Sequence, residues 1–189
     1  MFRASLLPGV ELKLLEERHA YALYSAISSD REYLREWLPW VDATRSTDDT
    51  REFIDKSLRQ FAKNAGFHAG IWVDGEYAGT IGCQAINWAN RKVELGYWLG
   101  SRYTGRGIMT AAVSAMCDQA FDEWSLNRVQ LQCAAGNVRS QAIPRRLGFR
   151  EEGLIEQGQL LYGKFHDLIV FGMLRSMWER NRQGPVLSS

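Results

Sequence analysis

Cysteine is scarce: Cys83, Cys117 and Cys133 are three in 189 residues, too few and too widely spaced for a disulfide framework, and no two form a Cys-x-x-Cys pair. Each stands in an apolar or alternating run, which suits a small buried hydrophobe in a reducing compartment. The three histidines, His19, His68 and His166, stand in no cluster with metal-ligand spacing, so no metal is expected. No stretch approaches the roughly 18 apolar residues of a membrane helix. The opening segment, closed by Pro8, has too short an apolar run for a secretion signal, so the expected location is the cytoplasm. An excess of charge is also missing. With 23 basic and 22 acidic residues the formal net charge is +1, which argues against a protein that binds nucleic acid by bulk phosphate neutralisation.

What is present is enough apolar material for a core. Hydrophobic residues make up 46% and aromatics 12%, which excludes a disordered chain. The length suits one domain, placed at residues 1–180, with a tail from 181 to 189 that contains Gly184-Pro185 and is expected to fray. Alternation predicts a first strand at 10–14. Thr47-Asp48-Asp49-Thr50 opens a helix with capping chemistry, and Phe53, Ile54, Leu58 and Phe61 form its buried stripe. Strands at 67–73 and 77–85 flank Asp74-Gly75, a tight hairpin turn. A strand at 93–99, a glycine-containing loop, a helix from Ile108, a strand at 129–134 and a short helix from about Ser140 to Leu147-Gly148 follow. Two last strands are expected near 150–155 and 165–174. Hairpins first and a βαβα unit second make an α+β domain with a mixed sheet.

The chemical signal is Arg102-Tyr103-Thr104-Gly105-Arg106-Gly107-Ile108, set between strand and helix. Glycines there let the backbone turn so that several N–H groups point into one cavity, and the helix N-terminus adds more. Such a loop suits phosphate or pyrophosphate. Thr110 stands where the dinucleotide fingerprint needs its third glycine, and the Gly-Lys-Ser/Thr of a P-loop is absent. Further on, Asn137-Val138-Arg139-Ser140 leads into Leu147-Gly148-Phe149.

In this order, the segments resemble the GNAT acetyltransferases, whose Gln/Arg-x-x-Gly-x-Gly/Ala motif is matched by Arg102-x-x-Gly105-x-Gly107. The resemblance is closest to the RimJ/RimL-like branch of ribosomal-protein N-terminal acetyltransferases. It rests on Glu36-Trp37-Leu38-Pro39-Trp40, Gly96-Tyr97-Trp98-Leu99, Gly107-Ile108-Met109, Glu152-Gly153 and the segment Tyr162 to Asp167, and spans about Glu11 to Trp178.

The resemblance implies a mixed, mostly antiparallel sheet with a splayed central strand pair, flanked by helices. The pantetheine arm of CoA would pair with backbone at Tyr97, Trp98 and Leu99. The pyrophosphate would lie on Arg102, Tyr103, Thr104, Gly105, Arg106 and Gly107, with Ile108 and Met109 opening the next helix. Asn137 would hold pantetheine or order water, and Ser140 would sit beside the sulfur. Trp37, Trp40, Tyr97, Trp98 and Tyr162 would line the acceptor cleft.

Acetyl transfer to an amine needs a neutral nucleophile, oxyanion stabilisation and a proton for the departing thiolate. Glu94 is the candidate base, a backbone N–H near Leu99 the oxyanion donor and Ser140 the donor to sulfur, although Glu94 also suits a solvated strand and Ser140 a helix cap. One residue departs from the branch: Gln159 stands where ribosomal-protein acetylating members can carry a glutamate, and an amide cannot take a proton as a base does. The reading is an acetyl-CoA-dependent N-acetyltransferase acting on the α-amino group of a protein. The alternatives are a small-amine acetyltransferase, use of another acyl-CoA, and a weakly active CoA-binding regulatory module. No membrane or nucleic-acid partner is expected. A homodimer is, through the N-terminal helices around Trp37 and Trp40.

Overall fold

A computed structural model describes residues 3–183. Its eight strands form one sheet in the order β1-β2-β3-β4-β5-β6-β8-β7. They are β1 (Arg3–Leu7), β2 (Val10–Leu14), β3 (His68–Val73), β4 (Glu76–Asn87), β5 (Lys92–Leu99), β6 (Arg128–Ala134), β7 (Arg150–Leu161) and β8 (Lys164–Leu174). Only β5 and β6 run parallel; every other neighbour is antiparallel. The Asp74-Gly75 turn has φ of 49° and 83°, the two left-handed residues that a tight primed hairpin requires.

Helices cover both faces. Helices α1 (Ala20–Ser29), α2 (Arg31–Arg35) and α3 (Thr47–Ala62) enclose a cluster of Leu15, Leu23, Ile27, Leu34, Val41, Ile54 and Trp98. On the opposite face α4 (Ile108–Asp118), α5 (Val138–Arg146) and α6 (Arg175–Gln183) cover the larger cluster, which includes Val93, Leu95, Met116, Phe121, Leu131 and Phe171.

The structure amends several sequence expectations. The cap of α3 is Ser46, one residue before the expected start: its Oγ accepts from Asp49 N, and Asp49 Oδ2 accepts from Ser46 N at 2.8 Å. The buried face of α3 is Thr50, Ile54 and Ser57, because the Thr50 hydroxyl donates to Ala20 O at 2.8 Å and Ser57 accepts from His68 N. Phe53 and Phe61 lie at the rim against His68 and Phe67. Strand β7 is twice its expected length, and residues 181–183 of the expected tail belong to α6, which runs through Gln183. The rest of that tail lies outside the described residues. All three cysteines are free and buried.

Candidate active site

The parallel pairing of β5 and β6 joins Lys92–Leu95 to Arg128–Leu131 and stops there. Beyond it, Gly96–Leu99 remain paired only on the other side, to β4, while β6 continues along β8. A gap therefore opens through the middle of the sheet, with one edge of β5 backbone facing it. Strand alternation sends the side chains around this gap to opposite faces.

On the α1–α3 face stand Glu94 and Trp98. Glu94 Oε2 accepts from Gln130 Nε2 at 3.0 Å and Gln132 Nε2 at 3.1 Å, two amides on the same face of β6. Arg128 Nη2 donates to Gln130 Oε1 at 3.1 Å and pairs with Glu152. One carboxylate oxygen is thus fixed by neutral donors, and the other, Oε1, carries neither of these bonds. The glutamines carry no charge or apolar period to mark them, so sequence reasoning passed over them. Trp40 lies on Trp98 at 6.2 Å between ring centroids, and Trp37 lies close over Gly136, where an added Cβ would sit 3.1 Å from the indole. Tyr162 O–H donates to Leu38 O at 3.1 Å beneath the Arg35 guanidinium, so the N-terminal segment meets the β7–β8 turn. A cleft of about 630 Å³ bordered by Glu36, Tyr162 and His166 opens beside that contact. Gln159 is half-buried opposite His166, after a bulge pinned by Gln157 N donating to Asp167 Oδ1 at 2.8 Å.

On the α4–α5 face lies the loop. Gly105 and Gly107 have φ of 75° and 74°, a region that side-chain-bearing residues rarely adopt, and nothing lies within 4 Å of a Cβ added at either. Gly107 caps α4 in this left-handed conformation, so the first N–H groups of the helix face open space beside the gap. The Arg102 side chain turns away, pairing with Glu76 and lying over Tyr103, which leaves the loop's backbone as its binding surface. Asp30 fixes the loop's start by accepting from Ser101 N at 2.5 Å and Ser101 Oγ at 2.9 Å. Arg146 of α5 donates to Thr110 of α4 at 2.9 Å. This cradle fits a pyrophosphate with an extended arm running into the gap.

Asn137 Oδ1 accepts from Ser140 N at 3.0 Å, so Asn137, not Ser140, caps α5. Its Oδ1 is committed to the helix, which leaves its Nδ2 donors to face a ligand. Ser140 stands in the first turn with its Oγ 3.3 Å from Cys133 Sγ. Burial raises the Cys133 thiol and the Tyr97 phenol above their ordinary ranges, so both stay protonated. Tyr97 packs with the α4–α5 cluster and reaches Ser140, on the face opposite Trp98 and the Trp40 that lies on it. Among the described residues no His, Cys, Asp and Glu side chains gather as a metal site, and no helix is long and apolar enough to cross a membrane.

A family model for the GNAT acetyltransferase domain matches residues 10–150. The chain belongs to the GNAT family. This GNAT chain is 37% identical over 180 residues to YdaF of Bacillus subtilis (strain 168), whose name assigns it to the ribosomal N-acetyltransferases, covering 95% of this chain and 98% of the relative. It is 26% identical over 166 residues to the ribosomal-protein-serine acetyltransferase of Escherichia coli (strain K12), covering 88% and 93% of the two chains. Its fold is similar to that of RimL, a ribosomal α-N-protein acetyltransferase solved with coenzyme A disulfide-linked to one of its cysteines. That likeness has a TM-score of 0.89 at 24% identity over 93% of this chain and 99% of RimL. The chain is thus an N-acetyltransferase of the acetyl-CoA-dependent GNAT kind.

Proposed function

We propose that this enzyme acetylates the N-terminal α-amino group of a protein, a ribosomal protein being the class its relatives' names point to. The observation that carries the reading is the gap between β5 and β6 with unlike chemistry on its two faces. The α4–α5 face carries the glycine loop and Ser140, suited to acetyl-CoA. The α1–α3 face carries Glu94, Trp98 and Trp40, suited to an amine.

An α-amino group has a reference pKa of about 7.7–8.0, against about 10.4 for a lysine side chain, so a weak base suffices to free its lone pair. The amine nitrogen attacks the thioester carbonyl carbon through the gap, and the C–N bond forms. A backbone N–H near Leu99 holds the oxyanion as the C–S bond breaks. The proton lost by nitrogen passes to Glu94 Oε1 or to water beside it, and the Ser140 hydroxyl passes its proton to the thiolate while regaining one from water in the gap. Gln159 is then a hydrogen-bonding wall of the cleft. The same reading places the enzyme in the cytoplasm as a pair of identical chains.

Thiol release from acetyl-CoA with a panel of peptides and small amines tests this. Release with peptides bearing a free α-amino group is the expected result. Release only with polyamines or amino acids makes it a small-amine enzyme, and CoA binding without release makes it a regulatory module.

A further inference from the structure

Helix α5 carries a proline in an unfavourable place. Pro144 is the seventh of nine residues, well past the first turn. An interior proline removes one N–H and crowds the carbonyl four residues back, which destabilises the helix. That carbonyl belongs to Ser140. Its hydrogen bond comes from across the gap: Tyr97 O–H donates to Ser140 O at 3.1 Å, and Ser140 Oγ donates to the Tyr97 oxygen at 3.2 Å. One bond holds the residue and the other holds its hydroxyl. Tyr97 comes from β5 and Ser140 from the helix that follows β6, so the pair bridges the two strands where they part.

We propose that Tyr97 and Pro144 are positioning residues that hold the Ser140 hydroxyl beside the β5–β6 gap, its proton resting on the Tyr97 oxygen until the thiolate draws it away. Pro144 leaves the Ser140 carbonyl without its helical donor, and Tyr97 takes that carbonyl. A carbonyl oxygen can accept twice, but an N–H at 144 would draw the Ser140 carbonyl onto the helical ladder and off the line set by the phenol. Helix stability is given up for a fixed hydroxyl, a pattern that belongs to functional sites. This inference rests on the reading of Ser140 as the proton donor to the thiolate.

The test is single-turnover acetyl transfer by Tyr97→Phe, Pro144→Ala, Ser140→Ala and the Tyr97→Phe/Ser140→Ala double variant, with acetyl-CoA Kd and thermal midpoint measured for each. Tyr97→Phe and Pro144→Ala should each slow transfer roughly tenfold, the effect of one lost hydrogen bond, with Kd changed by less than about threefold. Pro144→Ala should be slower while melting higher, which a purely structural proline would not produce. Adding Tyr97→Phe to Ser140→Ala should slow transfer no further, because the hydroxyl it holds is gone. Ser140→Ala at the wild-type rate overturns the reading beneath the inference. A slow Ser140→Ala beside an unimpaired Tyr97→Phe overturns the inference alone, as does an equal Tyr97→Phe loss with and without the Ser140 hydroxyl.

Discussion

His68 is a base buried where a charge is costly. Burial pulls its pKa from the ordinary 6.5 to about 4, and its Nδ1 faces Ser57 Oγ at 3.2 Å. As pH falls through 6.5 the unfolded chain takes up a proton that the folded chain refuses until about 4. Stability should therefore be full above pH 6.5 and fall by about 3 kcal/mol in total between 6.5 and 4. His19, also lowered by burial, acts in the same direction. The Arg-paired Asp42 and Glu152 have lowered pKa values, so their contribution is lost at lower pH, below the usual carboxylate range. Denaturant midpoints at pH 7 and 5 check this: a His68→Asn variant should show a shallower decline, and a wild type equally stable at both would contradict it. At this scale the site was unevenly legible. Asn137, Ser140 and the glycines announce themselves by type and order. Tyr97 and Trp98 are both aromatic in a strand apolar on both faces, so alternation could not tell which faced the amine.

At the scale of elements, turns and caps were easier to read than lengths. Asp74-Gly75 specified its hairpin because few residues accept two consecutive positive φ values. Strand β7 is expected to end near 155, whereas the structure carries it on to Leu161 through a bulge at Glu156-Gln157-Gly158 held by Asp167. Helix α5 was started at Ser140, which put Pro144 near its first turn and hid its consequence. The loop before α4 gives the sharpest element-level prediction. Valine at 105 or 107 meets no protein atom, yet it must adopt a φ near 75° and fills the space where a pyrophosphate would lie. Gly107→Val should weaken CoA binding at least tenfold, about 1.4 kcal/mol, by backbone strain and obstruction. Arg106→Ala should stay within about threefold, because the contacts are to backbone. Calorimetry that finds Gly107→Val equal to wild type would remove the loop from the site.

At the scale of the molecule, Trp37 and Trp40 pack on Gly136 and Trp98 of their own chain, and Trp40 stays 37% exposed. Exposed apolar side chains gather on the β7–β8 arm, where Leu154, Leu160 and Phe165 are 53%, 55% and 57% exposed and β7 is an edge strand. Long apolar edges are normally covered, and a second copy of the same arm is a self-complementary cover. Light scattering at micromolar concentration should give twice the 21.6 kDa of one chain, and Leu160→Glu should return it to the single mass. A wild-type mass of one chain would contradict the pairing.

In the proposed reaction, donor and acceptor approach from opposite faces of one sheet and meet in the gap beyond Leu95 and Leu131. A bisubstrate conjugate, with the CoA sulfur joined through an acetyl linker to the α-nitrogen of a short peptide, must occupy both faces at once. Its affinity is the direct measurement. Joining two sites that are filled together adds their binding energies, so the conjugate should bind at least 100-fold tighter than CoA. A conjugate that binds no tighter than CoA would mean that the two faces do not serve one reaction.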